Sequence, residues 1–193
     1  MAWLDAAGAA MWELVQHYTG KVSYKLGAKS DALICNPPVI DCSGWVALLL
    51  TAAMSAASQN EAAFSTAEFA AVQTNSERII ENLERRSGLV IAGDTIRLGT
   101  LPSYSTIGLQ QGGGTWSANL SRLRGITHIV QVVRRPEDGS PYVSEAAGFF
   151  RPPGIRLLPL VDWLERTDNL LKTGTAWAVG PFRRSLISRS TSE

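Results

Sequence analysis

The sequence predicts an α+β domain in which N-terminal helices pack on an antiparallel sheet, and three observations lead to that expectation. Apolar residues recur at helical spacing in the first part of the chain, and short β-rich runs bounded by turn residues follow from Leu89 onward. Helices and strands are segregated rather than alternating, which argues against a parallel βαβ fold. With 193 residues, 45% of them hydrophobic and 18% charged, the chain is long enough for one contiguous core and too apolar for a disordered segment. The expected organisation is a single domain over 1–182 with an insert at 99–124, followed by a polar tail at 183–193.

The first helix is predicted over 3–18, where Trp3, Leu4, Ala7, Met11, Leu14, Val15 and Tyr18 share a face and Gly20 ends the run. Residues 21–38 read as a loop broken by Gly27, Asn36, Pro37 and Pro38. Ser43 to Ser58 is apolar almost all round and is predicted to be the buried central helix. The region from Gln59 to Arg86 is polar and helical, with Ser76 placed to cap a helix that carries Ile79, Ile80 and Leu83. Leu89 to Ile91 and Thr95 to Leu98 read as one strand bent at Gly93-Asp94.

Gly99 to Arg124, with Gly112-Gly-Gly114, reads as a long surface excursion. Ile126 to Val133 and Tyr142 to Glu145 form a predicted hairpin around the Glu137-Asp138-Gly139 turn. Beyond Arg151-Pro-Pro-Gly154 come a run at Ile155 to Leu158, a short helix at Val161 to Leu171 and a last strand at Thr175 to Val179.

Charge and cysteine content exclude several functions. The 18 basic residues against 17 acidic ones supply no overall field to hold nucleic acid. The longest apolar stretch, Trp45 to Ala57, is interrupted by Thr51 and Ser55 and falls short of the ~18–20 residues that cross a bilayer, so no stable membrane insertion is expected. The two Cys and two His do not have the spacing of a zinc site, and no metal or cofactor is expected. Met1 to Asp5 offers no basic n-region, and the first Lys is Lys21, so no Sec signal is expected.

Cys42 stands at the start of the predicted central helix, in Asp41-Cys-Ser-Gly44. The N-terminal N–H groups and macrodipole there favour thiolate and offer donors to an oxyanion beside the sulfur. The plain alternative is a small apolar residue at a helix start. Gly44 would let a substrate or another stretch of chain come close. His128 opens a strand in which His128, Val130 and Val132 share one face and Thr127, Ile129 and Gln131 the other. It is a candidate base, or else a satisfied structural side chain. Glu145, at the end of the opposing hairpin strand, could accept Nδ1–H of His128 and orient it, or could be an ordinary exposed acid. Ser43 and Ser144 flank this group. His17 reads as a helix-end cation, and Cys35 as a free, semi-buried thiol that could alternatively bridge Cys42.

Asp41-Cys-Ser-Gly44 at a helix start, upstream Tyr24-Lys-Leu-Gly27, the Leu89 to Asp94 turn, and Gly125-Ile-Thr-His128 opening a strand occur in one order. Together they resemble the papain-like cell-wall cysteine peptidases of the NlpC type. The stretch from His128 through Asp138-Gly-Ser140 to Glu145 is also similar to the related CHAP amidases.

The resemblance implies a papain-like fold and hydrolysis of an amide bond in the stem peptide of peptidoglycan. It makes Cys42 the nucleophile, His128 the base and acid and Glu145 the orienting residue. Tyr24, with Ser43 and Gly44, would bind substrate, the tyrosine hydroxyl helping to hold substrate or oxyanion. Joined to the missing secretion signal, it also suggests delivery by a specialised route to the periplasm or wall of a target bacterium. A type VI secretion amidase effector with a cognate immunity protein would fit, as would a phage lysin. The alternatives are an acyltransferase or protein-directed peptidase on the same scaffold, or a catalytically silent binding module.

Overall fold

A computed structural model describes residues 2–59, 64–110, 124–174 and 176–180. The predicted tail at 183–193, the Gly112-Gly-Gly114 segment and Thr175 lie outside the described residues. The molecule is α+β, as the segregation of elements predicts. Helix α1 (Ala2–Tyr18) lies against α2 (Cys42–Gln59), with Met11, Trp12 and Val15 meeting Trp45, Leu49, Ala53 and Ala57 in one apolar cluster. Between them run the short parallel strands β1 (Ser23–Tyr24) and β2 (Val39–Ile40), paired in register Tyr24↔Ile40, and a 3-10 turn at Ser30–Ile34. The chain continues through α3 (Thr66–Val72) and α4 (Ser76–Ser87). Each begins at a capped end: Ser65 and Glu68 form a capping box on α3, and the Asn75 side chain accepts from the Arg78 N–H on α4.

The main sheet comprises β3 (Val90–Ala92), β4 (Thr106–Leu109), β5 (His128–Arg134), β6 (Pro141–Ala147), β7 (Gly154–Pro159) and β8 (Ala176–Val179). Its order is β3-β8-β4-β5-β6-β7, and every neighbouring pair is antiparallel. Helices α1, α2 and α4 cover one face through Ile129, Val133, Ala146 and Val179. The other face, with Ile107, Val130, Val132, Val143 and Ala178, is covered by α5 (Leu160–Arg166) and α6 (Asp168–Lys172) through Leu160, Trp163 and Leu171. The sheet is thus buried on both sides, which is why β5 carries apolar residues on each face.

Four local expectations are corrected. The stretch from 99 to 110 is not a surface excursion throughout: Gly99 and Thr100 are exposed, but Thr106–Leu109 is buried in the middle of the sheet between β8 and β5. Its four residues are too few to show a period, and Gly108 masks it further. A Cβ there would come within 2.8 Å of Ile126 and 2.9 Å of Ile80, so the strand needs a residue that reads as a breaker. Thr95 to Leu98 is not a strand; Gly93–Thr95 forms a 3-10 turn and the pairing of β3 ends at Ala92. The helix at 161–171 is two helices broken at Thr167, whose hydroxyl donates to the Trp163 carbonyl. Ser76 is the first residue of α4 rather than its cap, a role Asn75 fills.

Candidate active site

Cys42 is the first residue of α2. The turn is set by Asp41, which is buried and accepts the Gly44 N–H at 2.6 Å through its side chain and the Trp45 N–H at 2.9 Å through its carbonyl. The same carboxylate accepts from the Gly27 N–H at 3.0 Å, the Ser43 hydroxyl at 3.0 Å and the Lys29 ammonium at 2.8 Å. Asp41 therefore holds the 27–29 loop onto the helix start. Trp45, wholly buried, donates from Nε1 to the Ser144 hydroxyl at 2.9 Å and pins the first turn of α2 to β6 beside Glu145.

The candidate base, His128, arrives on β5. The β5–β6 ladder runs from Arg134↔Pro141 only as far as Gln131↔Ser144, so His128 and Glu145 lie where the two strands diverge. His128 is 4% exposed and Glu145 1%, and Nε2 lies 3.0 Å from Glu145 Oε2. The expected partner of the glutamate was Nδ1; the distal nitrogen is the one that spans the gap to β6. On its other side the imidazole lies close enough to Cys42 for each to favour the charged form of the other. The second Glu145 oxygen accepts from Arg166 on α5. The cluster is a relay of thiol, imidazole, carboxylate and guanidinium.

The electrostatics follow from these contacts. Burial penalises the Cys42 thiolate most, yet the bond to His128 and its charge, with a smaller contribution from Ser76, outweigh burial and hold the thiol below its ordinary value. Burial likewise opposes charge on His128, but bonds to Cys42 and Glu145 lift it from 6.5 to about 9. Glu145 is lowered despite burial because His128 and Arg166 favour its anion. Both shifts act in the direction that favours a thiolate beside an imidazolium.

Tyr24 is half-buried over Gly148, where a Cβ would come within 2.9 Å of its ring. Burial, then the nearby charges of Cys42 and Asp41, push its hydroxyl far up, so it remains a donor. Ser43 turns to Asp41 and Lys29, and Ser144 to Trp45; both are structural partners of the site. The space over Gly44 is taken by this chain's own backbone: a Cβ there would lie 2.8 Å from Ala28 O and 3.1 Å from Lys29 Cα, so its glycine is explained by loop closure. Cys35 is exposed rather than semi-buried, and both cysteines are free.

Five residues of the site carried no role at the site in the sequence reading. Asp41 and Lys29 shape the helix start. Arg166 backs Glu145. Phe149, 55% exposed, meets the His128 ring edge-on at 5.6 Å. Ser76 places its hydroxyl 3.8 Å from the Cys42 sulfur. Only Asp41 gave a local signal, as an acidic residue just before an apolar helix; the others come from segments that no spacing rule connects to Cys42.

No protein-family model matches the chain, and no curated protein or solved structure matches it either. The class is defined by the chain itself: an α+β protein with a buried cysteine, histidine and glutamate in line. Among the described residues no helix is long and apolar enough to cross a membrane.

Proposed function

We propose that the chain is a cysteine hydrolase acting on amide bonds. The observation that carries this reading is the His128–Glu145 hydrogen bond beside the buried Cys42 thiol, whose anion His128 favours, three buried side chains from three separate elements. Three such groups are costly to bury for structure alone, and their mutual effect is to charge the thiol. The thiolate attacks the substrate carbonyl, the C–N bond breaks as His128 delivers its proton to the leaving amine, and water, deprotonated by His128, releases the acyl group from sulfur. Asp41 takes the Gly44 and Trp45 N–H groups at the start of α2, which leaves those of Cys42 and Ser43 to donate to the oxyanion, and the Tyr24 hydroxyl stands near to donate to substrate.

The substrate class rests on the resemblance of the motifs to NlpC-type and CHAP enzymes of papain-like fold, which favours the stem peptide of peptidoglycan. On the same basis the protein acts in the periplasm or wall of a target bacterium as an effector, neutralised in its producer by an immunity protein, or as a lysin. The test is mass spectrometry of purified peptidoglycan after incubation with the protein. New termini at one stem-peptide bond, absent with Cys42→Ala, support the reading. Unchanged muropeptides together with turnover of other peptides would favour a protein-directed peptidase, and transfer to an added amine an acyltransferase. No reaction of any kind would favour a binding module.

A further inference from the structure

The first turn of α4 meets the first turn of α2 at the sulfur. Ser76 is 5% exposed, and among the described residues its hydroxyl has one hydrogen-bond partner, the Cys42 sulfur at 3.8 Å. It is not needed as a cap, since Asn75 already accepts the Arg78 N–H at 3.0 Å. The next residue, Glu77, is 3% exposed and takes the N–H groups of Arg124 at 2.9 Å and Ile126 at 2.8 Å, two residues before His128. One helical turn thereby touches the nucleophile with one side chain and anchors the strand that carries the base with the next.

We propose that Ser76 is a fourth catalytic residue, whose hydroxyl donates a hydrogen bond to the Cys42 thiolate. The inference deepens the hydrolase reading and rests on Cys42 being its nucleophile. A donor to an ionised sulfur stabilises the anion over the thiol, in the same direction as His128. It also makes each thiolate a weaker nucleophile, because nucleophilicity falls with pKa at a slope of about 0.4–0.5. The two effects separate on a pH axis. Below the thiol midpoint the gain in thiolate population exceeds the loss in nucleophilicity; well above it only the loss remains.

The experiment measures the rate at which an aromatic disulfide reacts with Cys42 as a function of pH, in a Cys35→Ala background that removes the exposed thiol. Ser76→Ala is compared with wild type, and Ser76→Thr with Ser76→Val, two side chains of equal shape that differ in the hydroxyl. Loss of the donor in Ala and Val should raise the midpoint by about one unit, slow the reaction severalfold on the acid side and leave the alkaline plateau about threefold faster. Thr should retain the wild-type profile. A general loosening of the site would not produce curves that cross. If Thr and Val give the same profile, or Ala matches wild type, the Ser76 proposal is overturned while the hydrolase reading stands. If wild-type Cys42 itself titrates as an ordinary thiol, the hydrolase reading fails first.

Discussion

At the scale of single residues, the site works as a unit, so its parts do not contribute additively. Cys42→Ala and His128→Ala should each abolish hydrolysis while keeping a native circular dichroism spectrum, and the double variant should be no worse than either alone. Glu145→Gln should slow turnover without ending it, since an amide still holds the ring but supports the imidazolium less; Glu145→Ala should be slower still. The pH profile gives the sign. The acid limb reports protonation of the thiolate and the alkaline limb loss of the His128 proton near 9, so Glu145→Gln should draw the alkaline limb toward neutrality. A profile whose alkaline limb does not move in Glu145→Gln would mean that the carboxylate does not support the imidazolium.

The same pair shapes stability. His128, raised from 6.5 to about 9, contributes fully below 6.5 and loses its contribution as pH climbs through about 9. Glu145, lowered from 4.5, contributes fully above 4.5 and loses its contribution as pH falls. Both are whole only between 4.5 and 6.5. The difference in urea midpoint between wild type and Glu145→Gln should therefore be greatest in that interval and shrink toward pH 9. A difference constant with pH would remove this linkage.

At the scale of elements, two glycines mark where backbones meet. Gly44→Ala would drive a methyl against the Ala28 carbonyl and the Lys29 backbone, neither of which is a flexible side-chain end. It should cost about 1–3 kcal/mol in urea unfolding and tilt the helix start that presents Cys42, lowering turnover as well. Gly108→Ala meets the side chains of Ile126 and Ile80 in the central sheet. Its cost should be of similar size, but the methyl meets side-chain ends rather than the loop closed over the helix start, so turnover of the folded fraction should fall less than in Gly44→Ala. Equal loss of turnover in both would contradict the view that loop closure over Gly44 sets the nucleophile.

These elements also show how far the fold and the site are legible in the sequence. Helices α1 and α2, the β5–β6 hairpin and the Cys42, His128 and Glu145 candidates are legible because each rests on a local rule: 3.6-residue spacing, alternation about a turn, a thiol at a helix start. Strand β4 is not, since four residues around a glycine carry no period, and only the Ile126 and Ile80 side chains explain that glycine. The ring nitrogen facing Glu145 escapes the sequence because it depends on where β5 and β6 diverge. Arg166, Phe149 and Ser76 reach the site through long-range packing alone.

At the scale of the whole molecule, the sheet is a partition. Helices α1, α2 and α4 on one face carry Cys42, the proposed nucleophile, and brace it; α5 on the other supplies Arg166, the counter-ion of Glu145. His128 connects the two sides where the ladder opens. Arg166→Ala should therefore act at a distance from the sulfur, slowing turnover through Glu145, with Arg166→Lys recovering part of the rate.

The central claim is that this arrangement charges one cysteine of two, and peptide mapping during a time course of iodoacetamide labelling at several pH values tests it most directly. Buried Cys42 should label much faster than exposed Cys35 near neutral pH, against the order of their exposure, and His128→Ala should slow Cys42 alone. Equal labelling of both thiols, each rising only above about pH 8 as ordinary cysteines do, would contradict it.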